Sequence, residues 1–230
     1  MEKSALIVGA GAGLSSSLAF QCRNSGMHVA LAARDIGKLK LISEETGASL
    51  HKCDASKIEH VSRLFEELDA KSGTPDLVVY NPSSRLHGAI ETLNAEKTKE
   101  ALEVTCFGAF LVAQQAAKRM LARGSGSIFF TGASASVKGF SNSSVFAMGK
   151  FGLRGLAQAL VRELHPKNIH IGHFVIDGGI KSDARPERRG KGHYDMLDPD
   201  EIAKTYIQFH NQHKSAWAWE IELRPWVETF

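Results

Sequence analysis

An apolar run, Ala5-Leu6-Ile7-Val8, enters the turn Gly9-Ala10-Gly11-Ala12-Gly13, and Leu14 then opens a segment of helical apolar period. Glycines at this spacing permit a tight turn and let the backbone approach a pyrophosphate closely. The helix start that follows offers unpaired N–H groups and the positive end of a dipole to the phosphates. A glycine turn alone can serve any strand-to-helix connection, but strand, turn and helix in this order are the context that dinucleotide binding requires. Gly9, Gly11, Gly13 and Leu14 are therefore the candidate pyrophosphate cradle. Further on, the second apolar run ends in Ala32-Ala33-Arg34-Asp35. A carboxylate at such a strand end would meet a free ribose 2′-hydroxyl. Ala33 stands there instead, and the guanidinium of Arg34 suits a 2′-phosphate by paired hydrogen bonds. NADP(H) is thus preferred as cofactor, while Asp35, able to reach a ribose, keeps NAD(H) possible.

The elements that would carry these residues alternate along the chain. Apolar runs at Ser4–Val8, Val29–Ala33, Ser49–Cys53, Leu77–Tyr80, Ser127–Phe130, His170–Ile176 and Ala218–Leu223 read as strands. Segments of helical period lie between them at Leu14–Asn24, Ile36–Glu44, Ile58–Ala70, Ala95–Ala122, Val145–Leu164 and Pro199–Gln212. This is the pattern of repeated βαβ units. The expected fold is α/β: a single doubly wound Rossmann-type domain over residues 1–230, with a central parallel sheet of about seven strands flanked by helices. A charged, glycine-bearing segment at 178–197 is long enough to be a lid.

Bulk properties narrow the partners. The chain has 230 residues and a formal charge of +3, too small an excess to point to nucleic acid or an acidic membrane. The three cysteines, Cys22, Cys53 and Cys106, are scattered, which suits a reducing compartment and neither a zinc knuckle nor a redox dithiol. The first apolar run is too short for a signal-peptide core, and no stretch reaches membrane-spanning length. A cytoplasmic protein with a small-molecule substrate is the expectation. His170 and His173 sit on one strand at an offset that turns them to opposite faces, so a shared metal ion is not expected.

These residues together resemble the short-chain dehydrogenase/reductase superfamily over nearly the whole chain. Gly9 and Gly13 match its glycine fingerprint, with Ser15 in place of the third glycine. Asp54 looks like the family's adenine-contacting aspartate, and Asn81 like the first position of its Asn-Ala-Gly segment, here continued by Pro82-Ser83. Asp177-Gly178-Gly179-Ile180 falls where relatives carry a Pro-Gly segment beside the nicotinamide. The resemblance implies cofactor contacts from Gly178, Ile180 and Ser182, and a homodimer or homotetramer.

The resemblance also implies an active site built from a Tyr-x-x-x-Lys pair on one helix face, a serine at a strand end and an asparagine on the long helix. The lysine would bind ribose and lower the tyrosine pKa, and the tyrosine would exchange a proton with the substrate oxygen while hydride moves. Here the pair reads Phe146-Ala147-Met148-Gly149-Lys150. A benzene ring neither donates nor accepts that proton. The serine position falls on Ala133 with Ser134 next to it, and the asparagine position on Thr105. Lys150 alone is intact, so Lys150 and Ser134 are the candidate catalytic groups. Tyr194, in the lid-like segment, is a third candidate acid, and His87 a candidate substrate contact. Lys181, Arg185, Arg188, Arg189 and Lys191 either grip an anionic substrate group or form a solvated face.

Two functions from different classes follow. One is an NADP(H)-dependent oxidoreductase with an atypical site, acting on a small carbonyl or alcohol or on an activated double bond. The other is a catalytically inactive dinucleotide-binding sensor or partner subunit. A lyase or isomerase with a structural cofactor is a weaker third.

Overall fold

The structure is a computed structural model that describes residues 3–182, 190, 192 and 194–228. Seven strands form one parallel sheet: β1 (Ser4–Val8), β2 (His28–Ala33), β3 (Ser49–Lys52), β4 (Leu77–Tyr80), β5 (Gly126–Thr131), β6 (Ile169–Ile176) and β7 (Glu220–Leu223). Their order is β3-β2-β1-β4-β5-β6-β7. Helices cover both faces: α1 (Leu14–Asn24), α2 (Lys40–Thr46), α3 (Ile58–Lys71), α4 (Ala95–Leu102), α5 (Gly108–Arg123), α6 (Ser144–Leu164) and α7 (Pro199–His210).

A sheet covered on both faces buries both sides of each central strand, which explains runs of continuous rather than alternating hydrophobicity. All residues of β1, β4 and β6 are buried. Leu6, Val8, Val78 and Tyr80 pack toward α3, α5 and α6, while Ala5, Ile7, Leu77 and Val79 pack toward α1 and α7. Strand order reverses between β1 and β4, and a crevice opens outside the carboxyl ends of the strands at such a reversal.

Two expected helices differ in their course. The segment Ile36–Glu44 is a 3₁₀ turn at Ile36–Leu39 followed by α2. Its start is set by Asp35, whose Oδ1 accepts from the Gly37 N–H at 3.0 Å. The segment Ala95–Ala122 is not one helix. A π-helical turn at Glu103–Phe107 separates α4 from α5. The Tyr80 hydroxyl donates to the Val104 carbonyl at 2.5 Å, and Thr105 Oγ1 accepts from the Ser84 N–H at 3.0 Å. A side-chain hydroxyl that takes up a ladder carbonyl, as Tyr80 does, interrupts the ladder. Gly108 lets the helix close in, because a Cβ there would lie 2.5 Å from the Tyr80 hydroxyl. β3 stops one residue short of the expected Cys53, and β7 begins at Glu220, two residues past the expected start.

Candidate active site

Gly9 has φ of +77°, and a Cβ on it would strike the Pro82 ring at 2.6 Å. Both the left-handed backbone and the lack of space therefore demand glycine here. Gly13 has φ of +97°, and a Cβ at Gly11 or Gly13 would project into open space. α1 begins with no side-chain cap and no acidic residue in its first turn, which leaves its positive end available to an anion. Ser15, in place of a third glycine, is buried and structural. Its hydroxyl donates to the Gly9 carbonyl at 3.3 Å and accepts from Asn81 Nδ2 at 2.7 Å. The turn after β1 is thereby fastened to the end of β4. Leu14, one of the expected cofactor contacts, packs its side chain in the core.

Beside the turn lies a cleft of about 730 Å³ lined in part by Gly9, Gly11, Arg34, Lys38, Asp54 and Asn81. Asp35 is occupied at its rim. It caps the 3₁₀ turn and pairs with Lys38 at 3.4 Å, so Asp35 offsets Lys38 and Arg34 leaves one net positive charge where β2 ends. Asp54 accepts from the Ser56 backbone N–H at 3.1 Å and the Ser56 hydroxyl at 2.8 Å. Partial burial pushes its carboxyl up, but these bonds and the nearby charges of Arg34 and Lys57 outweigh it and hold the group below its ordinary range.

A second cleft of about 520 Å³ shares Asn81 and Ser83 with the first. It reaches Ser134, Phe146, Lys150, Gly178 and Ile180 at the ends of β5 and β6. Gly13 and Ser182 meet in a third, of about 410 Å³, beside the start of α1. The candidate residues that line these clefts are thus distributed along one end of the sheet, outside the carboxyl ends of its strands.

At the far end Lys150 is buried, and its ammonium donates to the Thr131 carbonyl at 2.6 Å. Burial, with the Arg85 charge adding to it, pulls its pKa down to about 7. Phe146 sits one turn earlier on α6, its ring centre 6.0 Å from Lys150 Nζ. The Arg85 guanidinium lies over the same ring, 4.0 Å from the centre. Thr105 is buried against α6, where a Cβ on Gly149 would come within 3.0 Å of it. Ser134 is half-buried on the cleft wall, while Ser136 is fully buried and accepts from the Ala133 N–H at 3.1 Å. Asp177 is also on this wall, ion-paired with Lys138 at 3.4 Å and Arg224 at 3.1 Å.

Other candidates lie elsewhere. Tyr194 is 83% exposed and lines none of the three clefts. Its segment is tied at both ends, since Leu197 N donates to Gly179 O and Lys181 N to Leu197 O. Lys181 borders the third cleft, whereas Arg185, Arg188, Arg189 and Lys191 fall outside the described residues. His87 is exposed, with Nδ1 3.5 Å from the Ser143 hydroxyl. His170 stacks between Trp217 and Phe209. His173 is buried on the other side against Gly132, with Nδ1 2.9 Å from Glu220. Burial pulls both imidazoles down to about 4. Among the described residues no His, Cys, Asp and Glu side chains gather in a set able to hold a metal ion, and no helix is long and apolar enough to cross a membrane.

Sequence reading missed Arg85 and Lys38. Lys38 carried a signal: it falls one 3₁₀ turn after Asp35, the spacing of an ion pair. Arg85 carried none, because its partner Phe146 is 61 positions away on another element, and only the packed sheet brings them together.

Residues 3–191 match the family described as short chain dehydrogenase. A sepiapterin reductase from Chlorobaculum tepidum is 27% identical over 98% of this chain and 97% of that protein. The human 3-oxoacyl-[acyl-carrier-protein] reductase is 26% identical over 80% of this chain and 78% of that protein. The crystal structure of a short-chain dehydrogenase from Rhodopseudomonas palustris superposes with a TM-score of 0.85 at 30% identity, covering 97% and 99% of the two chains. An alcohol dehydrogenase from the archaeon Thermococcus sibiricus, complexed with 5-hydroxy-NADP, gives a TM-score of 0.87 at 24% identity over 99% and 98%. That last likeness is one of fold.

Proposed function

Because the chain belongs to the short chain dehydrogenase family, we propose that it is an NADP(H)-dependent oxidoreductase with an atypical proton donor, acting on a small carbonyl or alcohol or on an activated double bond. The observation that carries this reading is the continuity of the clefts: a path from Arg34 and the glycine turn, past Asn81 and Ser83, to the buried amine of Lys150. The residues fit the cofactor. The turn leaves open space where phosphates would lie, α1 presents an uncapped positive end, and Arg34 supplies charge for a 2′-phosphate while Asp35 is engaged as a cap and with Lys38. Gly178, Ile180 and Ser182 would flank the nicotinamide half.

When bound, the dinucleotide supplies or accepts hydride. The chain's own groups then have to handle the proton. Burial brings the Lys150 pKa down to about 7, into the range near the operating pH that suits general acid–base work. In the reducing direction Lys150 Nζ gives that proton to the substrate oxygen as the carbonyl accepts hydride, and regains one from solvent. The Thr131 carbonyl holds the amine in place, and the Ser134 hydroxyl hydrogen-bonds the substrate oxygen. Phe146, with Arg85 over its ring, lines the approach to Lys150.

One observation favours a second reading. A cationic group already covers the ring that would bear the phenol, as suits an inactive dinucleotide-binding sensor or partner subunit. Assay at saturating NADPH against a broad carbonyl panel separates the two. The oxidoreductase reading expects turnover by the natural chain. Turnover only after Phe146→Tyr would establish the second. Assembly with a second copy of the chain is part of the proposal: Phe107 and Phe110 on or beside α5 and Met148 and Phe151 on α6 are exposed apolar groups on neighbouring helices. Sedimentation would show a dimer or tetramer.

A further inference from the structure

We propose that Phe140 is a specificity-determining residue whose ring receives a flat ring on the substrate, making the preferred substrates carbonyl compounds that carry an aromatic group, or the corresponding alcohols. The substrate part of this inference rests on the oxidoreductase reading above. Phe140 lies on the loop between β5 and α6, in the wall of the cleft that ends at Lys150. The described residues place two aromatic rings in that wall. Phe146 is buried and has the Arg85 guanidinium over its face, 4.0 Å from the centre. Phe140 is 47% exposed, so it is the ring with surface left for a ligand.

An exposed side chain must be held before it can select a ligand, and Phe140 is held from two directions. Asp177 is buried at the end of β6, where its N–H donates to the Leu223 carbonyl at 2.8 Å. Its carboxylate pairs with Lys138 at 3.4 Å, and the Lys138 ammonium lies over the Phe140 ring, 5.7 Å from the centre, within the range of a cation–π contact. The buried acid thus fixes the lysine, and the lysine steadies the ring. The backbone of the loop is tied as well. The Phe140 carbonyl accepts from the Ser143 N–H at 3.2 Å, and the Asn142 carbonyl accepts from the Gly88 N–H at 3.0 Å. A cation over one face leaves the other open to stacking. A flat ring placed offset or edge-on against an aromatic side chain gains affinity beyond the burial of its area, by about three- to tenfold. A saturated ring or an open chain of the same size does not. The cleft of about 520 Å³ must also take the nicotinamide end, which keeps the substrate small.

The test titrates the NADPH-loaded protein calorimetrically with benzyl alcohol and cyclohexylmethanol, a pair that cannot turn over with the reduced cofactor. The saturated ring carries the larger apolar surface, so burial alone would favour it, and an aromatic contact reverses the order. Benzyl alcohol should bind about three- to tenfold more tightly. Phe140→Leu should abolish that preference and Phe140→Tyr should keep it, with circular dichroism reporting that each variant is folded. Equal or weaker binding of benzyl alcohol, no binding of either alcohol, or a preference that survives Phe140→Leu overturns the proposal. If NADPH itself does not bind, the oxidoreductase reading fails, and the same comparison on the cofactor-free protein still decides the role of Phe140.

Discussion

Replacing Lys150 by Met should stabilise the fold at neutral pH, although it removes a buried hydrogen bond. The lysine amine titrates at about 7 in the folded protein against an ordinary 10.5, chiefly because it is fully buried. That gap corresponds to about 5 kcal/mol held against the protonated form. Folding disfavours the charged amine, so the penalty is full below about pH 7, where the amine is protonated in both states. It shrinks as pH rises from about 7 to 10.5, where the unfolded lysine still binds a proton that the folded one has lost. Lys150→Met escapes the penalty but strips the Thr131 carbonyl of its donor, a loss of about 1–3 kcal/mol. The net expectation is a gain of about 2–4 kcal/mol near pH 6.5. Urea unfolding of both proteins at several pH values measures this directly. The variant's advantage should fall by about 3 kcal/mol between pH 7 and 9.5. An advantage independent of pH, or a variant less stable throughout, would refute a depressed amine pKa and with it the proton-donor role. A residue that costs stability in this way is retained where activity needs it.

Three further outcomes follow from the same geometry. Phe146→Tyr places a phenol beside Lys150, but with Lys150 already giving the proton it should raise carbonyl reduction by no more than about tenfold, well short of the roughly 10²–10⁴-fold a positioned acid supplies where none is present; steady-state kinetics with NADPH checks it. Arg34→Ala should weaken NADPH binding by about 10- to 100-fold and leave NADH binding nearly unchanged, since only a 2′-phosphate uses the guanidinium; paired fluorescence titrations separate the two. Gly132→Ala puts a Cβ 2.5 Å from His173 Nε2 and 2.8 Å from the Phe174 carbonyl, and should cost about 1–3 kcal/mol in chemical denaturation.

The sheet was legible because parallel strands buried on both faces leave uninterrupted apolar runs, as Ala5-Leu6-Ile7-Val8 and Leu77-Val78-Val79-Tyr80 do. Helix ends were legible where local chemistry sets them, as at α1, which runs over Leu14–Asn24 as expected. The break at Glu103–Phe107 was not, because its cause is the hydroxyl of Tyr80, which reaches Val104 across 24 positions of sequence. The same holds at the site. The glycine turn and Arg34 are candidates by type and by place in the βα repeat, Asp54 and Lys150 by the family resemblance, and the structure puts them on the walls of two clefts. The commitment of Asp35 to a cap and the pairing of Ser15 with Asn81 depend on which way side chains turn after folding. Arg85 became visible only once its loop lay across α6.

The central claim is that the clefts beside the glycine turn take an NADP(H) molecule, and calorimetric titration of the protein with NADPH and with NADH tests it most directly. One NADPH per chain, bound at least about tenfold more tightly than NADH, is the predicted result. No binding of either dinucleotide, or equal affinity for the two, would contradict it.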